Sequence, residues 1–196
     1  MNAKHARQVL ADCRLVHGML EDEIDPDRFR VLWVGALSLL RAVGHVLAKV
    51  DGTEPRLKAA SDAAFKRWKD ASQNHAIFTD FIEKSRNLVL KEYGFQIDLR
   101  QTVPVLVLDG SDNEHFNLDE NIFRPLVDGY GSGEDCRDIY AFALEWWDNQ
   151  LKEIEVAASD GALCPPVGRS VGTAEARPRP SQGKCTDRSK RHDRSM

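Results

Sequence analysis

An arginine followed by an asparagine stands in the run FIEKSRNLVLKEYGF, at Arg86 and Asn87. A guanidinium offers a fixed fork of donors to a phosphate, and the amide beside it both donates and accepts. Arg86 comes four residues after Ile82 and three before Val89, so it borders the apolar stripe of a helix. The plainer reading is a salt-bridged helix surface, with Glu83 or Glu92 as partner. A second set is Ser38, Arg41, His45 and Lys49, three or four residues apart on one face of an otherwise apolar helix. These residues are either a basic strip lining a cleft or a solvent-facing edge.

Two further constellations carry less. Residues 109–120 place oxygen-bearing side chains at positions 1, 3, 5 and 12 of a calcium-type loop, but Glu114 stands where the sharp turn needs glycine. A solvated acidic loop accounts for them better, and His115 stands without a second histidine beside it. Trp146 and Trp147 are adjacent, so on a helix they point about 100° apart. One belongs to a core, and the other is free for a core or an interface. The sequence holds no phosphate loop, no Gly-x-Ser-x-Gly elbow, no His-Glu-x-x-His and no zinc-spaced Cys/His set. It therefore calls for no metal and no cofactor.

Helical elements must position these residues. Val9, Cys13, Val16 and Leu20 predict a first helix over residues 3–21. Asp25 and Pro26 form the cap and first position of a second, running to Val50. This helix is apolar nearly all round and is expected at the centre of a bundle. Its uncharged stretch, residues 31–40, is too short for the roughly 20 residues of a membrane span. Thr53 and Pro55 open a third helix over 54–71, and a fourth runs over 75–93, with Gly94 as its stop. Alternation at 96–99 and a Val-rich run at 103–108 predict one or two short strands, with Pro104 at a sheet edge. A last helix covers 134–158. The fold class is mainly α, an antiparallel bundle of about five helices with a small β insertion, about 96–110, before the last helix.

Composition divides the chain. It has 196 residues, a 42% hydrophobic fraction and a net charge of −4. Global disorder and a disulfide scaffold are excluded. Residues 161–196 carry eight basic and three acidic residues, four of the eight prolines and no aromatic side chain. The remaining 160 residues carry 19 basic and 28 acidic ones, a net of −9. The expected organisation is a helical domain over 1–159 and a disordered basic tail over 160–196. The acidic body argues against broad duplex binding, because phosphates are repelled outside a local basic groove. Cys13 and Cys136 fall in helical patterns and are expected as buried free thiols, which suits a reducing cytoplasm. The N-terminal MNAKHARQVL has no apolar signal region, and no membrane association is expected.

A helical bundle whose late helix carries Arg86-Asn87 within FIEKSRNLVLKEYGF resembles the HEPN superfamily, the higher-eukaryote and prokaryote nucleotide-binding domains. The resemblance is best over residues 26–95. Its motif is Arg, a polar residue and then His, with four to six residues between Arg and His. Active members are metal-independent endoribonucleases whose site forms across a homodimer, often in defence or toxin–antitoxin systems. By resemblance, Arg86 and Asn87 take the first two motif positions, and Lys91 stands where the histidine belongs.

That exchange has a chemical consequence. Histidine titrates near neutrality, whereas a lysine starts near pKa 10.4 and stays charged unless strongly desolvated. Lys91 would steady phosphate charge but is a poor general base. The resemblance thus implies an atypical or non-catalytic homodimer that binds or acts on RNA or a nucleotide, with an antitoxin-like protein as a further partner. The alternative is a protein-interaction or structural bundle with no nucleic-acid role. The first reading expects Arg41, His45, Arg86 and Lys91 around one groove. The second expects them scattered, with an exposed apolar patch near Trp146 or Trp147.

Overall fold

The computed structural model describes residues 1–70, 75–99, 102–108, 113–119 and 123–160, with backbone alone at 102–108 and 113–119. The tail expected over 160–196 lies outside them, apart from Asp160, which closes the last helix. Helix α1 spans Lys4–Asp22, α2 Pro26–Lys49 and α3 Pro55–Lys69. A π-helical stretch, Ile77–Glu83, runs directly into α4, Lys84–Glu92. Strands β1 (Thr102–Leu108) and β2 (Asn113–Asp119) pair antiparallel, and α5 spans Cys136–Asp160. The chain is a mainly helical bundle with a small β element before its last helix.

The start of α2 follows from its first residues. The Asp25 carboxylate accepts from the backbone N–H of Asp27 and of Arg28, and Pro26 needs no partner at the first position. For α3 the cap is Glu54, which accepts from Leu57 N–H at 2.7 Å. Thr53, the expected opener, instead turns its hydroxyl back to the carbonyl of Val50. Helix α1 has no cap of its own. Asp51, in the turn after α2, accepts from the N–H groups of His5 and Ala6, and Glu155 of α5 accepts from that of Ala3.

Packing follows the apolar stripes. Arg7 binds Asp148 and Glu155, while His17 reaches the Arg137 carbonyl, so α1 and α5 run antiparallel. Tyr140 donates to the Ala36 carbonyl, and a Cβ on Gly44 would meet Trp147, so α2 and α5 run side by side in the same direction. The core is built from Leu10, Cys13 and Leu20 of α1, Phe29, Trp33, Leu37 and Leu40 of α2, and Tyr140, Trp147 and Leu151 of α5. Cys13 and Cys136 are free and buried, as their helical setting predicts. Burial pushes the Cys13 thiol up to about 11.

Helix α2 is apolar beyond its buried face. By length and composition alone it could cross a membrane, yet Phe29, Trp33, Leu40, Val43 and Leu47 are buried in the bundle. Val31 stays exposed.

Three expectations need correction. Residues 96–99 are not a strand; Ile97 makes only an isolated bridge to Leu126. The strand expected at 103–108 is β1, and it pairs with residues 113–119, expected to be acidic loop. Residues 109–112, the start of the calcium-type pattern, lie outside the described residues. The helix expected over 75–93 is π-helical in its first half, and its stop is Tyr93, whose φ of 55° is left-handed, rather than Gly94. Gly94 packs instead on Leu88, which a Cβ would approach to 3.0 Å.

The link into α5 buries polar groups. Asp135 accepts from the backbone N–H of Arg124 and of Arg137, and binds the Arg137 guanidinium. Burial raises the Asp135 carboxyl, but the bonds from Arg137 and these N–H groups outweigh it and hold the pKa below the ordinary value. Arg124, fully buried, lies 5.4 Å above the Phe29 ring and donates to the Ile24 carbonyl. Gly131, at φ 74°, leaves no room for a Cβ, which would sit 2.7 Å from Ile139.

Candidate cationic and aromatic cleft

Arg41 and His45 are one helical turn apart on α2 and line the same cleft. Gly44 and Ala48 supply the rest of that wall. The opposite wall is α3, with Ser61, Asp62, Phe65 and Trp68, and Phe78 of the π-helical stretch closes the end. The cleft has a volume of about 250 Å³. Gly44 lets α5 pack close: a Cβ there would come within 3.0 Å of Trp147 and 3.2 Å of the Arg41 guanidinium.

The charge of the cleft is ordered by one carboxylate. Arg41 Nη2 donates to Glu83 Oε1 at 3.3 Å, and Lys69 Nζ binds Glu83 Oε2. Both cations also sit over the Phe78 ring, at 5.7 Å and 5.5 Å from its centroid. Burial lowers the Arg41 pKa; Glu83 opposes the shift and Arg86 adds to it. His45 is exposed on its outer side but is held below its ordinary pKa by partial burial, then by the positive charges of Arg41, Arg86 and Lys49, with Glu83 opposing. Arg41, His45 and Arg86 thus share one electrostatic neighbourhood, although they come from two helices.

The motif residues do not all join it. Among the described residues Arg86 makes one side-chain hydrogen bond, donating to Asn87 Oδ1 at 3.1 Å. The expected Arg86 pairing with Glu83 or Glu92 is not formed, since Glu83 is taken by Arg41 and Lys69. Asn87 is exposed. Lys91 is exposed as well, and five residues of helix place it about 140° round from Arg86. The structure therefore places Arg41 and His45 in one cleft, with Arg86 outside its lining but near enough for its charge to bear on both, and Lys91 lies about 140° round the helix from Arg86.

The two tryptophans are packed into the bundle. Trp147 is fully buried. Trp146 is half-buried, stacks on Phe78 with centroids 5.4 Å apart, and donates to His75 Nδ1 at 3.3 Å. Trp68 joins both, and its indole N–H binds Gln150. Phe142, one helical turn before Trp146, stays 57% exposed. Among the described residues no group of three His, Cys, Asp or Glu side chains is placed to hold a metal ion.

Sequence reasoning missed Phe65, Lys69, Phe78 and Glu83. Phe65 and Lys69 are four residues apart, so they share the α3 face that meets the cleft, and this spacing was a usable signal. Glu83 was legible only as a partner for Arg86; its place between Arg41 and Lys69 was not, because the π-helical stretch changes the face on which its residues emerge. Comparison of the chain with protein-family models, with curated proteins and with solved structures gives no match. The fold and site together define a class, a helical bundle with a cationic, aromatic-floored cleft.

Proposed function

We propose that the protein is a HEPN-like, non-catalytic homodimer that binds RNA or a nucleotide through Arg41, His45 and Arg86. The observation that supports this most is that Arg41 and His45 line one cleft, with the charge of Arg86 acting on both. A phosphodiester suits a guanidinium fork from each of two helices. Proton transfer at a ribose hydroxyl is suited to a histidine at the motif position, where this chain carries Lys91. The test is incubation of purified protein with a single-stranded RNA, following binding and cleavage together. Intact RNA is expected to bind, with Arg86→Ala weakening it about tenfold, in line with a lost charged hydrogen bond. Metal-independent cleavage that Arg86→Ala abolishes would contradict the non-catalytic reading.

The runner-up reading, an interaction module, draws on a different face. Leu15 and Met19 of α1 and Val31 of α2 are large apolar side chains left more than half exposed. That reading predicts association through this face and no affinity for RNA.

A further inference from the structure

Another histidine is held in place apart from the cleft. His5, in the first turn of α1, sets its Nδ1 2.7 Å from Oδ1 of Asp51, which stands in the turn after α2. We infer that His5 is a nucleophile, modified at Nε2 by transfer of a phosphoryl group from a small activated donor, a phosphoramidate or an acyl phosphate. Neither residue lines the cleft, so this site is independent of the RNA reading.

The pair is built for orientation as well as for capping. The Asp51 side chain is 4% exposed, whereas that of His5 is 60% exposed. A carboxylate only accepts hydrogen bonds. In the neutral ring the hydrogen therefore stands on Nδ1 and the lone pair on Nε2. Among the described residues Nε2 has no hydrogen-bond partner, and the exposed ring leaves it open to a reagent. Asp51 is itself fixed, because Oδ1 also accepts from the His5 N–H at 3.2 Å and Oδ2 from the Ala6 N–H at 2.8 Å. Those two backbone donors are all that a cap of α1 requires. The third bond, to the imidazole, does nothing for the helix end and selects one tautomer of the ring.

Charge favours the transfer. Attack by Nε2 on phosphorus puts a positive charge on the ring, which lasts until Nδ1 gives up its hydrogen. The Asp51 carboxylate, in contact with that ring and largely removed from water, offsets the charge as it develops. An anionic donor meets the positive end of α1 and the exposed Lys4. The step balances: the Nε2 lone pair forms the bond to phosphorus, the bond from phosphorus to the leaving group breaks, and ammonia or a carboxylate departs with that electron pair.

The experiment incubates the full chain with potassium phosphoramidate and follows phosphohistidine by phosphorus NMR and by mass spectrometry of digests. The reference is a free peptide of residues 1–10, which keeps the sequence around His5 but lacks Asp51. His5 in the folded chain is expected to react at Nε2 about tenfold faster than in the peptide, the scale of one charge-assisted hydrogen bond. Asp51→Asn keeps an oxygen acceptor and removes the charge, and should return the rate to that of the peptide, with circular dichroism confirming the fold. His5→Gln should abolish the signal assigned to this position. A native chain whose His5 reacts no faster than the peptide, or reacts at Nδ1, would overturn the inference whether or not the Asp51→Asn variant folds. A folded Asp51→Asn variant that reacts as fast as the native chain would overturn it too, and would leave Asp51 as a helix cap alone.

Discussion

His45 sits where partial burial and three positive side chains disfavour its protonated form, with only Glu83 pulling the other way. Its folded pKa is therefore below the unfolded value near 6.5. Between the two the unfolded chain holds more proton, so His45 contributes stability above about pH 6.5 that is lost as pH falls through the folded pKa. Phosphate affinity has the opposite sign, because protonation adds a charge beside Arg41. RNA binding is predicted to strengthen as pH drops from about 7.5 to 5.5. His45→Gln should flatten that profile, which an anisotropy titration at several pH values would measure. Arg41 and His45 were legible as a pair, since their spacing fixes one helix face. Their relation to Glu83 was not, because it depends on how two helices distant in sequence meet.

The helices read well where a local signal sets their ends. Asp25 and Pro26 announced α2, and the structure places the cap there. Where an end is set from elsewhere in the chain, no local reading succeeds. Asp51 caps α1 from across the bundle, through His5 and Ala6. Asp51→Ala leaves those two donors unmet and is expected to cost about 1–2 kcal/mol, measurable by urea denaturation. Strand β2 was missed for a different reason. Phe116 and Leu118 alternate with polar residues over only two periods, amid a run of oxygen-bearing side chains that imitates a metal loop. The π-helical stretch is a register change settled by the packing of Phe78 and Phe81 in the core, which periodicity cannot anticipate.

At the scale of the molecule, the bundle turns on its aromatic junction. Trp147 is fully buried against Trp68, Phe78 and Gly44. Trp147→Ala is expected to cost about 3–5 kcal/mol and to loosen the cleft wall as well. The composition split also takes on a spatial meaning. Residues 1–160 carry a net −9, so the neighbourhood of Arg41, His45 and Arg86 is a local exception on an acidic body. The proposed RNA binding there is predicted to be short-ranged, salt-dependent and confined to one face. The most direct measurement is the salt dependence of single-stranded RNA affinity for the native chain, Arg41→Ala, Arg86→Ala and Lys91→Ala. Arg41→Ala and Arg86→Ala are each predicted to lower the slope of log affinity against log salt by about one, and Lys91→Ala to leave it unchanged. A Lys91→Ala variant that loses as much as Arg41→Ala, or a native chain without measurable RNA affinity at low salt, would contradict the account.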